Sequence, residues 1–315
     1  MIEARDLVKR FGRRLALGGV SFDAAPGDVV GLIGPNGAGK TTSLRILASL
    51  LRPDAGVARV AGRDVALEAE AVRERIGYMP ERFGLYDELT LQQYLDFFAR
   101  VYGLVGAERR RQVEAALDLV DLLPKRGDRC EGLSKGARQR LFLARTLLHG
   151  PDVLLLDEPA SGLDPQARLD LRALISDLAE QGKAVVLSSH VLSELEQVCT
   201  RVAVLEAGRV VFSGGLDELR SGSGGEHRVR VLLVAEEDAA RAVALLTALP
   251  EAPGRSVGPI DQDGAELGFP VTATPEGVAD LHRALVQGGA RVFSFEVEAP
   301  SLESLFLDLT RGRIA

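Results

Sequence analysis

The sequence predicts an α/β fold, with a parallel-sheet core, a small antiparallel β layer and an inserted helical subdomain, followed by a C-terminal ferredoxin-like α+β module. Two observations predict it. Short apolar runs of strand length alternate with helical stretches as far as about residue 220, which is typical of strands buried on both faces of a parallel sheet. A glycine-serine run then precedes a stretch with the order β-α-β-β-α-β.

The core strands are predicted from three apolar runs, DVVGLIG (28–34), DVLLLDEP (152–159) and AVVLSSH (184–190). A stretch with helical spacing (41–51) follows the first run, and another (165–183) joins the other two. Strands that alternate with helices in this way favour parallel neighbours, because a parallel connection needs room for a crossover helix.

Two regions interrupt this alternation. Near the N-terminus, the segments ARDLVKRF, LGGVSFDA and GVARVAGRDV predict short strands of an antiparallel layer. Between about residues 88 and 148 the pattern is helical throughout, which predicts the inserted subdomain.

The expected domain organisation follows from these patterns. Residues 1–220 form the first domain, SGSGG (221–225) is a flexible linker, and 226–315 form an accessory or regulatory domain. The last segment of that domain has the apolar spacing of a helix over 301–310. The domain over 226–315 carries no phosphate loop, metal-ligand spacing or paired acids, so we expect no catalytic chemistry in it.

Composition limits the possible functions. The 315 residues are 46% hydrophobic and 26% charged, which is ordinary for a globular protein of two domains. A net charge of -7 argues against a nucleic-acid partner, since such proteins are normally basic. Without an apolar signal core or a run of about 18 apolar residues, the sequence predicts a cytoplasmic chain with no membrane-spanning helix.

The segment GPNGAGKT fits the phosphate-loop pattern G-x-x-x-x-G-K-[ST] and lies between a predicted strand and a predicted helix. Gly34, Gly37 and Gly39 let the backbone wrap closely around phosphate oxygens. Lys40 supplies a positive charge to the β- and γ-phosphates, and Thr41 offers a hydroxyl to Mg²⁺. The segment therefore predicts a site for a nucleoside triphosphate and magnesium.

Two acids end the predicted strand VLLLDEP. Asp157 emerges at the carboxyl end, where ligands of parallel sheets bind, and is a candidate magnesium ligand. Glu158 follows it and is a candidate general base that polarises water. His190 ends the next apolar run and is a candidate donor to the γ-phosphate. Alone, the acids could be solvated at a strand end and the histidine could be an ordinary polar residue.

A second segment also has the pattern of an anion-binding helix start. In LSKGARQR, Ser134 and Gly136 precede an amphipathic helical stretch, so a hydroxyl and free backbone N–H groups meet at the positive end of a helix. The phosphate loop already provides one such site, so the chain carries two.

These segments together resemble the ATPase subunit of ATP-binding cassette (ABC) transporters, over residues 1 to about 220. GPNGAGKTT resembles its Walker A loop and VLLLDEP its Walker B strand, while LSKGARQR is similar to its signature and SGLD to its D-loop. His190 matches its switch histidine. The resemblance implies a P-loop NTPase ABC cassette that hydrolyses ATP with Mg²⁺. The nucleotide-binding residues that the resemblance and the phosphate loop imply are Phe11, Gly34, Pro35, Asn36, Gly37, Ala38, Gly39, Lys40, Thr41, Thr42, Ser134 and Gly136.

The resemblance also implies partners. In the family, two cassettes dimerise head to tail, and the signature of one closes over the ATP held by the Walker A loop of the other. The expected partners are therefore a second copy of the cassette, or a related one, and an integral membrane permease on a separate chain. The chain would lie on the cytoplasmic face of the cell membrane.

Two departures narrow the resemblance. The family's commonest signature has Ser-Gly-Gly-Gln, whereas this chain has Ser-Lys-Gly-Ala, so Lys135 adds a charge near the phosphates or toward the partner. Glu81 occupies the place of a glutamine that contacts magnesium and the permease, and is a candidate magnesium ligand. Both variants resemble the ABC-2 exporter branch.

Other functions stay open at this stage. A non-transport ABC ATPase could act on DNA or the ribosome, but no sustained heptads separate the two phosphate-facing segments and one cassette is present. A small-molecule kinase would have no use for LSKGARQR and SGLD. The sequence does not reveal the cargo.

Overall fold

The computed structural model describes residues 1–222, 226–249, 255–298, 302 and 305–306. The chain divides into two units, Met1–Leu216 and Asp217–Ala315. The division falls four residues before the boundary expected at residue 220.

In the first unit, strands of the core sheet are joined by helices, and the N-terminal strands and the run of helices between residues 91 and 147 interrupt this alternation. Its strands are β1 (Ile2–Phe11), β2 (Arg14–Ala24), β3 (Val29–Ile33), β4 (Ala55–Val60), β5 (Arg63–Asp64), β6 (Ile76–Met79), β7 (Val153–Asp157), β8 (Ala184–Ser189), β9 (Arg201–Glu206) and β10 (Arg209–Gly215). Its helices are α1 (Lys40–Leu47), α2 (Ala69–Arg73), α3 (Leu91–Val101), α4 (Gly106–Leu119), α5 (Lys135–Leu147), α6 (Pro165–Glu180) and α7 (Leu192–Glu196).

The core sheet has the order β10-β9-β3-β8-β7-β6. Neighbours from β9 to β6 are parallel, and β10 runs antiparallel to β9. Every residue of β3, β7 and β8 is buried, as continuous apolar runs predict for strands covered on both faces. The predicted parallel core is confirmed, and its topology brings the carboxyl ends of these three strands to one edge.

The N-terminal strands form a second, antiparallel sheet with the order β2-β1-β4-β5. Its inward side chains, such as Leu7 and Phe22, belong to the same buried cluster as Leu44 of α1 and Leu155 of β7. This shared core fixes the β1–β2 hairpin beside the start of α1.

The inserted helices have a core of their own. Leu91, Tyr94 and Leu95 of α3 pack with Leu117 of α4 and Leu141 of α5 in a separate cluster. The α3 helix starts with a capping box, which satisfies backbone donors that would otherwise lack partners. The predicted helical subdomain is confirmed.

The second unit contains β11 (Glu226–Leu233), α9 (Ala239–Ala248), β12 (Arg255–Val257), β13 (Asp261–Asp263), β14 (Glu266–Ala273), α10 (Pro275–Gln287) and β15 (Val292–Glu298), after α8 (Leu216–Gly222). Its antiparallel sheet has the order β12-β14-β11-β15, with β13 against β14. That order is the ferredoxin-like topology, so the predicted α+β module is confirmed. Val229, Phe269 and Leu281 lie in its core. Most of the helix predicted over 301–310 lies outside the described residues.

The linker predicted at 221–225 differs from the structure at its start. Ser221 and Gly222 are the last residues of α8, so they are helical rather than irregular. Serine and glycine lower helix stability by at most about 1 kcal/mol each, which a helix end tolerates. The other three residues of this segment, 223–225, lie outside the described residues.

The core sheet generates a stability prediction. Leu155 is 0% exposed in β7, so Leu155→Ala should lower the free energy of unfolding of the first unit by about 2–5 kcal/mol through lost burial and a residual cavity. Leu169→Ala is the control, because this α6 side chain is 50% exposed and its loss should change stability by about 0.5 kcal/mol or less. Chemical denaturation measures the free energy of unfolding of both variants. Equal losses in Leu155→Ala and Leu169→Ala would contradict the assigned core.

Candidate functional site

A cavity of about 440 Å³ opens where the carboxyl ends of β3, β7 and β8 meet the β1–β2 hairpin. This is the edge at which open α/β sheets bind ligands. The groups that line it come from the hairpin, the phosphate loop, α1 and the segments that follow β6, β7 and β8. They are Phe11, Arg14, Ala16, Pro35, Asn36, Gly37, Gly39, Lys40, Thr41, Thr42, Glu81, Glu158, Ser161 and His190.

The phosphate loop passes too close to its neighbours to carry side chains at its glycines. A Cβ on Gly39 would lie 2.5 Å from Cδ2 of Leu17, and a Cβ on Gly34 would lie 2.3 Å from the carbonyl oxygen of Leu205. Gly39 also has a φ of 113°, which L side chains rarely adopt. As N-cap of α1 it offers no side chain to the first backbone N–H groups, which leaves them available to an anion.

The Lys40 side chain lies within this loop and is only 6% exposed. Its ammonium donates to the carbonyl oxygens of Gly34 at 2.6 Å and Pro35 at 3.3 Å. Burial lowers the pKa of Lys40 below its usual value, and the nearby Glu158 and Asp157 oppose this shift. The loop therefore holds a desolvated positive charge where the sequence predicts the phosphates.

The Asp157 carboxylate is the most connected acid of the site and is 1% exposed. Its Oδ1 accepts hydrogen bonds from the hydroxyls of Thr41 at 3.1 Å and Ser188 at 2.7 Å. Ser188 in turn accepts from the backbone N–H of Glu158 at 3.0 Å. Sequence reasoning missed Ser188; its signal was its place two residues before His190 in AVVLSSH, opposite Asp157 in the parallel register.

Glu158 and His190 form a pair at the strand ends. Oε2 of Glu158 lies 2.7 Å from Nδ1 of His190, and the two side chains are 13% and 55% exposed, respectively. Glu158 has a φ of 52°, an uncommon conformation for a residue other than glycine. With the proton on Nδ1, the imidazole holds the carboxylate in place. The arrangement can orient a water molecule beside a phosphate.

Phe11 and Glu81 both line the cavity. Phe11 ends β1 and is 50% exposed, and Nζ of Lys9 lies over its ring, 5.9 Å from the ring centre. Arg14 also lines the cavity, and its Nη2 would lie 2.9 Å from a Cβ on Gly37. Sequence reasoning missed Arg14, although the basic run KRFGRR that contains it was visible.

Ser134 and Gly136 lie outside the cavity. Ser134 is the N-cap of α5 and accepts from the N–H of Ala137 at 3.2 Å, with its residue exposed. The Lys135 side chain crosses over Gly162, whose missing Cβ would lie 1.9 Å from Nζ of Lys135. One chain thus brings the phosphate loop and Glu158 together at one cavity but leaves Ser134 and Gly136 outside it.

The buried lysine in a glycine loop, with an aspartate and a glutamate at the adjoining strand end, defines a P-loop nucleoside triphosphatase. The sequence profile of the ABC transporter family matches residues 17–161. Together with the relatives described next, this shows that the chain belongs to the family of ABC transporter ATP-binding proteins.

Two relatives align along nearly the whole chain. The daunorubicin resistance ATP-binding protein DrrA3 of Streptomyces coeruleorubidus is 39% identical over 96% of this chain and 93% of its own length. The linearmycin resistance ATP-binding protein LnrL of Bacillus subtilis is 30% identical over 98% of both chains. The Nod factor export ATP-binding protein I of Paraburkholderia xenovorans is 40% identical over 68% of this chain and 70% of its own.

Solved structures agree with this assignment. An ATP-binding subunit of an ABC transporter is 33% identical, has a TM-score of 0.65 and covers 71% of this chain and 93% of its own. A dimeric cassette in a post-hydrolysis state with ADP and Pi is 26% identical, has a TM-score of 0.62 and covers 69% and 99%. The predicted ABC cassette is confirmed, and the chain is an ATPase subunit of the ABC transporter family. No helix among the described residues is long and apolar enough to cross a membrane.

The phosphate loop generates a binding prediction. Lys40→Ala removes the buried ammonium, so ATP affinity measured by calorimetry should fall at least about tenfold, since a hydrogen bond to a charged group contributes about 1.5–3 kcal/mol. Lys183→Ala is a matched control, because Lys183 also donates to a backbone carbonyl, that of Pro151 at 2.6 Å, away from the cavity. Unchanged ATP affinity in Lys40→Ala would refute the role of this loop.

Proposed function

We propose that this chain powers export through a separate membrane permease by forming an ATP-driven dimer with a second cassette. The observation that supports it most is the division of the phosphate-facing groups. Lys40 and Glu158 line one cavity, whereas the exposed Ser134 and the partly buried Gly136 are not among its lining residues. A second copy related by a two-fold axis would complete each site with the other's signature segment.

The donor set near Thr41 fits a magnesium ion. The Thr41 hydroxyl and the Asp157 carboxylate converge within 3.1 Å, and Mg²⁺ prefers such hard oxygen ligands together with phosphates and water. When bound, the ion neutralises charge on the β- and γ-phosphates. Glu81 also lines the cavity, so its carboxylate is within the same space as a further candidate ligand.

Glu158 is the proposed general base. Its carboxylate lies in the cavity wall beside the phosphate loop, and the hydrogen-bond partner His190 restricts its orientation. A water molecule between this carboxylate and a γ-phosphate held by Lys40 would lose a proton to Glu158 as its oxygen bonds to phosphorus, while the bond from phosphorus to the β–γ bridging oxygen breaks and ADP leaves with that oxygen. The His190 imidazole donates from both nitrogens only when both carry a proton; in that form its second nitrogen would donate to the γ-phosphate while Nδ1 holds Glu158.

The helical subdomain offers a surface for the permease. Tyr86, Phe97 and Val101 are 55%, 45% and 65% exposed, and the rings of Tyr86 and Phe97 meet edge to face at 5.9 Å. Exposed apolar side chains that adjoin one another are typical of protein-binding surfaces. A permease docked there would keep the chain on the cytoplasmic face of the membrane, as a peripheral subunit.

The relatives guide the choice of cargo. DrrA3 and LnrL, which align over nearly the whole chain, are named for resistance to daunorubicin and linearmycin, whereas the Nod factor relative aligns over two thirds of it. A small-molecule drug is therefore the cargo class we propose. A role on DNA or the ribosome has no support among these relatives, and recovery with membranes rather than ribosomes distinguishes the two.

The trans arrangement generates a prediction on dimerisation. Glu158→Gln keeps the shape of the side chain but removes the base, so ATP hydrolysis should fall about 10²–10⁴-fold while ATP stays bound. This variant should elute as a dimer with ATP in size-exclusion chromatography. Adding Ser134→Arg should abolish the dimer without lowering the ATP affinity of the isolated chain, because Ser134 would contact the other copy's nucleotide.

A matched control adds Ser213→Arg to Glu158→Gln, since Ser213 is an exposed residue of β10 away from the cavity. This double variant should still dimerise. A dimer peak with ATP for the variant that carries both Glu158→Gln and Ser134→Arg would contradict the trans arrangement. Hydrolysis at the wild-type rate in Glu158→Gln would refute the assignment of Glu158 as general base.

A further inference from the structure

A buried amide of α5 contacts the segment that follows Glu158. Gln139 is 7% exposed, one turn into the helix that Ser134 caps. Its Nε2 donates to the carbonyl oxygen of Pro159 at 2.6 Å. A buried amide that lost this partner would be left without compensation for its desolvation, so the contact is costly to break.

The backbone at Glu158 needs such support. Its φ of 52° is strained for a residue with a side chain. Its N–H donates to Ser188 and its carbonyl accepts from the N–H of Ser161 at 3.1 Å. Pro159 has no N–H, so its carbonyl is its one backbone group that can be held, and Gln139 holds it.

Gln139, the donor of the hydrogen bond to Pro159, is part of the signature segment LSKGARQR. Gln139 lies in the same helix as Ser134 and Gly136, and a Cβ on Gly136 would lie 3.7 Å from Leu163, within the segment that Pro159 begins. Arg140, the next residue, forms ion pairs with Asp170 and, at 3.6 Å, with Asp121. The α5 helix is thus fixed to α6 by Arg140 and to the carbonyl after Glu158 by Gln139.

We propose that Gln139 is a positioning residue for Glu158, which transmits the position of the signature helix to the catalytic carboxylate. A ligand that engages Ser134 and Gly136 displaces the first turns of α5, and Gln139 carries this displacement to Pro159 and so to Glu158. The proposal rests on the proposed roles of Glu158 as base and of the signature as a contact in trans.

The first test removes the donor and keeps the shape. Gln139→Met in the full chain should lower kcat for ATP hydrolysis about 10- to 100-fold, the effect of a small misplacement of a catalytic group. KM and ATP affinity should not change, because Gln139 is not among the residues that line the cavity. A parallel loss of affinity and kcat would indicate general disruption of the site and overturn the proposal.

The second test uses pH as a signature of the hydrogen bond. In Gln139→Glu, an ionised carboxylate cannot donate to the Pro159 carbonyl, whereas a protonated one can. Burial raises the pKa of such a carboxyl above its usual value of about 4.3, so protonation is accessible in mildly acidic buffer. The kcat of Gln139→Glu, divided by that of the wild type, should therefore rise as pH falls, and the same ratio for Gln139→Met should stay flat.

Two controls separate the possible failures. Arg140 lies on the same helix as Gln139, and Arg140→Met breaks its ion pair with Asp170 of α6 while leaving the hydrogen bond to Pro159 in place. The kcat of this variant should therefore exceed that of Gln139→Met. Thermal unfolding is recorded for every variant. If Gln139→Met and Gln139→Glu hydrolyse ATP normally while Glu158→Gln is inactive, the positioning role of Gln139 is wrong, whereas the role of Glu158 as general base is supported. If Glu158→Gln itself is active, the proposed function fails instead.

Discussion

The site depends on one buried carboxylate. Asp157 joins the hydroxyl of Thr41, at the start of the helix after the phosphate loop, to that of Ser188 on the neighbouring strand. It can do so because β3, β8 and β7 are adjacent and parallel, so their carboxyl ends emerge together. Ser188 extends the connection to the N–H of Glu158. A carboxylate that is 1% exposed is stabilised in this position by those donors, and it connects Thr41 and Glu158, which line the cavity.

The same geometry explains why the chain needs a second copy in the proposed mechanism. The phosphate loop and Glu158 line one cavity, but the exposed start of α5 lies outside it. That helix is nevertheless linked to the residue after Glu158, because Gln139 donates a hydrogen bond to the Pro159 carbonyl oxygen. Engagement of the signature by another subunit's nucleotide could therefore reach Glu158 through the fold, rather than through the cavity.

Sequence reasoning found the groups whose chemistry is encoded locally. The phosphate loop, Asp157, Glu158 and His190 follow from residue spacing and from apolar strand runs, and the structure brings Lys40, Glu158 and His190 to one cavity. Ser188 and Gln139 were missed because their roles depend on strand register and on where a distant helix packs, which one sequence does not display. The helical state of Ser221 and Gly222 was missed for a related reason, since composition predicts chain flexibility but not where a preceding helix ends.

The most direct test concerns the charge on Asp157. Asp157→Asn keeps an oxygen that accepts from Thr41 and Ser188 but removes the negative charge that would attract magnesium. The measurement is the ratio of ATP affinities with Mg²⁺ and with a chelator, for the wild type and for the variant. The account predicts that magnesium strengthens ATP binding in the wild type and that this gain is at least about tenfold smaller in Asp157→Asn, as loss of a charge-assisted contact implies. An equal gain in both proteins would contradict a magnesium site at Asp157.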